Sequence, residues 1–176
     1  KASDILQALF KQDYKIIHLS GHGNFDPAHP EQSGMVVGNN VFLTPREFNQ
    51  LGYTPELVFI NCCYLGKMDA AQESLYQHRH HFAANIGTQL INNGVKVVIA
   101  AGWAVDDAAA LDFAKAFYAN MFNGDAFGRA VLKARRTIHD RYPDSNTWGA
   151  FQCYGDPFYK LKFTQVTKTK SYRYII

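Results

Sequence analysis

Two stretches decide how this chain folds: Ile16-Ile17-His18-Leu19-Ser20-Gly21-His22-Gly23 and Leu57-Val58-Phe59-Ile60-Asn61-Cys62-Cys63-Tyr64-Leu65-Gly66. Each begins as a short apolar run of strand length and ends in a reactive side chain. In an open α/β sheet the loops at the carboxyl ends of parallel strands share one crevice. A histidine and a cysteine that end two such strands are therefore expected to meet as a Cys–His dyad.

The rest of the chain supplies the elements such a sheet needs. Residues 3 to 10 carry apolar side chains at Ile5, Leu6, Leu9 and Phe10, a helical spacing, with Ser3 as the expected N-cap. The first strand is expected over Tyr14 to Leu19, with Ser20-Gly21-His22-Gly23 as a tight exit whose glycines permit unusual torsions. Residues 24 to 34 read as loop. Met35-Val36-Val37 and Val41-Phe42-Leu43 flank Gly38-Asn39-Asn40 as a hairpin outside the parallel core. Thr44, Pro45 and Glu47 form a helix start with a capping box, and a short helix to Leu51 follows.

The second strand, Leu57 to Asn61, is continuously apolar, as a strand covered on both faces should be. Residues 64 to 77 show no period and are expected to loop over the crevice. A helix over Phe82 to Asn93 ended by Gly94 precedes a third strand, Lys96 to Ala101. Helices over Ala108 to Phe122 and Phe127 to Tyr142 follow, then a fourth strand, Ala150 to Tyr154. This alternation implies an α/β fold with a mainly parallel sheet.

Composition narrows the function classes. With 176 residues and 47% apolar content, the chain can bury one substantial core, and its length points to one domain. A net charge of +3 without a dense basic stripe gives little support for nucleic-acid binding. Lys160, Lys162, Lys168, Lys170 and Arg173 make a basic tail, which reads as a solvated segment. Three cysteines, two of them adjacent, suit a reducing compartment better than a disulfide framework. No run reaches the roughly 18 apolar residues of a membrane helix and no signal segment opens the chain, so a cytoplasmic location is expected.

A cysteine attacks as thiolate, and a free pKa of about 8.5 leaves only a few per cent ionised at neutral pH, so a nucleophile needs an activating partner. His22 is placed to be that partner for Cys62 or Cys63. Wedged between glycines, it supplies no core volume, which favours a functional role over packing. The histidine precedes the cysteine pair, the order found in caspases, where it lies roughly 50 residues upstream. Gly23 leaves its backbone N–H uncovered, and with the N–H of the cysteine it can bind a developing oxyanion. Asp106 and Asp107 open a helix, where acidic residues are favoured for helix stability, and either can line a pocket for a basic side chain. His78, His80 and His81 cluster without carboxylate or cysteine partners at ligand spacing, so no metal site is expected. Gly21-x-Gly23 is too short for a dinucleotide fingerprint.

In order along the chain, these motifs resemble the CHAT peptidases, caspase-like cysteine proteases of the clan that holds caspases and separases. The resemblance runs over roughly residues 14 to 160. It is carried by His18 to Gly23, Ser33-Gly34, Leu57 to Gly66, Gly94-Val95, Trp103-Ala104-Val105-Asp106-Asp107, Phe113 to Tyr118, Ala134-Arg135, and Trp148 through Gly155-Asp156-Pro157. The family's cysteine motif ends Cys-x-x-Gly, so Gly66 points to Cys63 as the nucleophile. His22 takes the general-base role and His18 becomes a strand residue. An oxyanion hole near Gly23 and Cys63 is implied, and Asp107 falls at the family's acidic position by the substrate cleft.

The resemblance implies a caspase-like three-layer sandwich over residues 1–163, with 164–176 as a basic tail. Such a domain usually has strands before the histidine strand. The chain is therefore expected to be the C-terminal part of a larger domain, or else its sheet is completed differently, with an uncovered edge as the hazard. The implied activity is a cofactor-free cysteine endopeptidase that cuts a dedicated protein substrate and is regulated by tetratricopeptide repeats or other attached or partner domains. Bacterial relatives act in defence. Two other readings fit the same residues: a catalytically silent binding module, and a thiol hydrolase acting on small acyl substrates.

Overall fold

The computed structural model describes residues 2–24, 34–38, 41–64 and 83–162, with the side chains of residues 45, 63 and 64 outside that description. Its elements are α1 (Ala2–Lys11), β1 (Ile16–Asn24), β2 (Gly34–Gly38), β3 (Val41–Leu43), α2 (Pro45–Asn49), β4 (Leu57–Tyr64) and α3 (83–92). β5 (Val97–Ala101), α4 (Asp107–Phe122), α5 (Phe127–Arg141), α6 (Thr147–Ala150) and β6 (Phe151–Gly155) follow. The strands form one six-stranded sheet in the order β3-β2-β1-β4-β5-β6.

β1, β4 and β5 pair in parallel, and each of the outer pairings is antiparallel. Four strands, β1, β3, β4 and β5, therefore run one way, and β2 and β6 run the other. The sheet is mixed but mostly parallel, and helices cover it from two sides.

The sequence of the central strands divides itself between those sides. Because successive side chains point to opposite faces, Leu57 and Phe59 of β4 join Val97, Ile99 and Ala101 of β5 in one core, roofed by α4 and α5. Val58, Ile60 and Cys62 join Val98 and Ala100 in the other, beneath α1, α2 and α3. The first core is aromatic: Phe113 of α4 stacks on Phe151 of β6 at 4.3 Å, and Phe59 and Phe117 pack beside them. Each such ring contributes roughly 1.5–3 kcal/mol by leaving water.

Several boundaries differ from the sequence expectation. β1 does not stop at Leu19; it runs on through Ser20, Gly21, His22 and Gly23 to Asn24. The reason is pairing on both flanks: residues 16 to 23 match β4, and Gly23 and Asn24 also match Met35 and Gly34 of β2. Positive φ occurs among the described glycines at Gly94, Gly124 and Gly155 and not at Gly21 or Gly23. Gly21 is instead a site of close approach, since a Cβ there would lie 2.8 Å from the Met35 Cε. β4 likewise continues past Asn61 to Tyr64. Ser3 lies within α1 rather than capping it, and α2 ends at Asn49.

The hairpin forms as expected from its two apolar runs, but it belongs to the same sheet and occupies the flank of β1 through β2. The edge is then the three-residue β3, and so short an edge offers little template for further pairing. Its end is fixed by the capping box: the Thr44 N–H donates to Glu47 Oε2 at 2.7 Å, and the Arg46 N–H donates to the Thr44 hydroxyl. The hairpin turn at 39–40, the loop at 25–33, most of the 64–77 loop, His78, His80 and His81, and the 164–176 tail lie outside the described residues.

Candidate active site

β1, β4 and β5 are parallel, so their carboxyl ends lie along one rim of the sheet, and β6, which runs the other way, begins there. That rim gathers His22 and Gly23, positions 61 to 64, the segment from Gly102 to Asp107, and α6. In register, His22 of β1 stands directly opposite Cys63 of β4, and Gly23 stands opposite Tyr64. His22 is exposed at the rim and Gly23 is buried between β4 and β2. The two sequence motifs are thus brought together, as neighbours within the sheet rather than across loops above it.

The other cysteines are in different surroundings. Cys62 is buried in the core under α3. Cys153 sits in β6 against the aromatic core, and burial pushes its thiol up to about 11, so it stays protonated at neutral pH. Neither environment favours a thiolate.

Below His22 on β1, the face that carries it holds Ser20 and His18. His18 is part-buried, its ring stacked on Phe59 at 4.5 Å, with Nδ1 3.0 Å from the Tyr118 hydroxyl of α4. Burial holds its pKa down to about 4 and raises that of Tyr118, so both are neutral at pH 7. His18 is a packed strand residue with one satisfied hydrogen bond. Ser20 is opposite Asn61, whose Nδ2 lies 3.5 Å from the Ser20 hydroxyl, at the outer limit of a hydrogen bond.

The acidic pair separates into two environments. Asp106 is the N-cap of α4, its carboxylate accepting the Ala109 N–H at 2.9 Å. Asp107, in the first turn, is exposed and has no partner among the described residues. The segment that carries them is held from α6: the Gly102 N–H donates to Ala150 O at 2.8 Å, and the Asp106 N–H donates to the Thr147 hydroxyl at 3.0 Å. Thr147 is 1% exposed and also receives the Ser145 hydroxyl at 2.9 Å. Sequence reasoning missed this clamp, because Asp144-Ser145-Asn146-Thr147 reads only as a polar turn. It also passed over Asn61, although the two-residue period counted back from Cys63 singles that position out.

Among the described residues no group of three or more His, Cys, Asp or Glu side chains is arranged to hold a metal ion. No described helix is long and apolar enough to cross a membrane.

The CHAT domain model matches residues 1–156. The chain belongs to the CHAT domain family. The mostly parallel sheet between two helical layers agrees with the caspase-like fold of that family, and it relates the chain to caspase-like cysteine peptidases. No curated protein matches the chain. Within this CHAT domain the histidine and cysteine motifs occupy adjacent parallel strands, and the Trp103 to Asp107 segment follows the next strand over.

Proposed function

We propose that this CHAT domain is a cysteine endopeptidase with Cys63 as nucleophile and His22 as general base. The observation that carries the reading is the register pairing of His22 with Cys63 at the carboxyl rim. A strand's period of two assigns positions 22 and 63 to one face and Cys62 to the other, and Cys62 is in fact buried in the opposite core.

The Cys63 thiol passes its proton to the imidazole, and the thiolate sulfur bonds to the peptide carbonyl carbon. The carbonyl π electrons move to oxygen, where the backbone N–H groups of Gly23 and Cys63 are the proposed donors. Collapse of the intermediate breaks the C–N bond, and the imidazolium gives its proton to the leaving amine. Water, deprotonated by the neutral imidazole, then hydrolyses the thioester and restores the thiol. Asp107, exposed in the first turn of α4, is proposed to meet a basic group of the substrate, with Asp106, the cap of that helix, beside it. The substrate is proposed to be a protein cut at one segment, with control by tetratricopeptide repeats or another attached or partner domain in the cytoplasm, in a bacterial defence setting.

Alkylation by a set of peptide chloromethylketones, read by mass spectrometry, tests this. One adduct on Cys63, lost in both Cys63→Ala and His22→Ala, is the expected result. Labelling of Cys62 or Cys153 instead, or reaction of His22→Ala at the wild-type rate, overturns it. Hydrolysis of small esters without any peptide cleavage selects the acyl hydrolase, and an unreactive Cys63 in every form selects the binding module.

A further inference from the structure

We propose that Asn61 positions His22: its side-chain carbonyl accepts a hydrogen bond from the imidazole nitrogen turned away from Cys63, setting the tautomer and orientation of the ring. The catalytic consequence rests on the peptidase reading above, whereas the contact itself does not.

Three observations carry this. By register, Asn61 pairs with Ser20 just as Cys63 pairs with His22, so Asn61 is the diagonal neighbour of His22 one period below the dyad. With neighbouring strands about 4.8 Å apart and a rise of about 3.3 Å per residue, positions one period apart on adjacent strands lie about 8 Å apart, within reach of long side chains. Secondly, Asn61 Oδ1 is closed off from solvent and has no hydrogen-bond partner among the described residues. Native proteins seldom keep a buried acceptor in that state without a use for it.

Thirdly, the surroundings offer that oxygen few donors. On the β5 side the pairing of Ile60 with Ala100 makes Ala101, an apolar core residue, the next neighbour. On β1, Ser20 already faces the amide nitrogen of Asn61. From α4, the Tyr118 hydroxyl is taken up by His18. That leaves the indole N–H of Trp103, two residues past Ala101, and the imidazole of His22 on β1, and of the two only the imidazole is a register neighbour of Asn61 within the sheet. A neutral imidazole is a base at one nitrogen only while the other holds its proton, so an acceptor at that second nitrogen selects the active tautomer. Such contacts are often loose before substrate binds and tighten in the complex, which suits an exposed His22 above a buried acceptor.

The titratable residues placed nearest His22 by register and along the rim are Cys63 on β4, His18 on β1, and Asp106 and Asp107 at the start of α4, with Tyr118 of α4 bonded to His18. A test therefore needs variants that change Asn61 alone. NMR titration of the His22 ring in the whole chain compares wild type with Asn61→Leu, Asn61→Asp and Ser20→Ala. Loss of one hydrogen bond to the cation in Asn61→Leu is expected to lower the His22 midpoint by about half to one pH unit and to mix its tautomers. Asn61→Asp, of the same shape, is expected to raise the midpoint by about one unit. Ser20→Ala should leave it in place. With a cleavable peptide, Asn61→Leu should lose about tenfold in kcat at unchanged KM.

An unmoved midpoint and tautomer ratio in a folded Asn61→Leu overturns the proposal. If that variant does not fold, an unmoved midpoint in Asn61→Asp does so. These shifts in the Asn61 variants of a protein whose wild type cleaves no peptide sink the peptidase reading and support the contact. A chain that cleaves peptides while His22 ignores both Asn61 variants retains the peptidase and loses the positioning role.

Discussion

The Thr147 hydroxyl accepts the backbone N–H of Asp106 at 3.0 Å, so a buried side chain of α6 holds the residue that caps α4. The same hydroxyl receives Ser145 at 2.9 Å. One atom thus couples the 145–150 segment to the start of the helix that carries Asp107.

Thr147→Val keeps the shape and removes that acceptor. Leaving the Asp106 N–H and the Ser145 hydroxyl without it should cost about 1–3 kcal/mol, seen as a lower urea midpoint at unchanged m. Thr147→Ser, which retains the hydroxyl, should recover most of the loss. A Thr147→Val chain as stable as wild type, with the loss falling on Thr147→Ser instead, would show that the methyl packing, not the hydrogen bond, is what matters.

His18 makes the fold sensitive to acid. Its native pKa is held down to about 4, against 6.5 for the ordinary ring. Between those values the unfolded state binds more protons than the native one, so stability is complete above about pH 6.5 and declines as the pH falls towards 4. The decline is at most on the order of 3 kcal/mol. His18→Phe should remove this part of the pH dependence while losing the Tyr118 hydrogen bond at every pH. Urea midpoints at pH 7 and pH 4.5 decide the matter: an unchanged difference between them in His18→Phe means that other groups titrate.

Much of the fold was legible because its signals are local. Thr44, Pro45 and Glu47 announce a capping box, two hydrogen bonds that residues 44 and 47 form by themselves, and it is present. The runs at Leu57 and Val97 predict strands buried on both faces, and the two cores divide them by parity. What could not be read was set by neighbours distant in sequence. Ser20-Gly21-His22-Gly23 looks like a turn until β2 and β4 supply partners on both flanks. The direction of β6 is set by the pair of helices α4 and α5, which returns the chain to the rim where β5 ended, rather than by any residue within the strand. Thr147 gains its role only because Asp106, far away in sequence, arrives beside it. The rim residues His22, Cys63 and Asp107 were found by motif, whereas Asn61 required the register.

Cys62 and Cys63 are adjacent in sequence and should differ sharply in response. Cys62 is buried among Ile17, Ile60 and Ile86. Cys62→Ser places a hydroxyl in that apolar core and should cost about 1–3 kcal/mol of stability. Alkylation at Cys63 should persist in the folded fraction. A Cys62→Ser chain that is as stable as wild type but unreactive would transfer the nucleophile to residue 62.

Asp106 and Asp107 should separate into a structural and a recognition role. Asp106→Asn retains a good N-cap and should be nearly neutral, whereas Asp106→Ala should lose about 1 kcal/mol. Asp107 makes no hydrogen bond among the described residues, so Asp107→Asn gives up only its interaction with the positive end of α4, about 0.3–1 kcal/mol. If its carboxylate meets a basic side chain of the substrate, Asp107→Asn should raise KM for Lys- or Arg-containing peptides by about tenfold, because a charge-assisted hydrogen bond is worth roughly 1.5–3 kcal/mol. Peptides with a neutral residue at the same place should be cut at an unchanged rate. Equal losses on both kinds of peptide would place Asp107 outside the binding cleft, and a loss confined to Asp106→Asn would exchange the roles of the two residues.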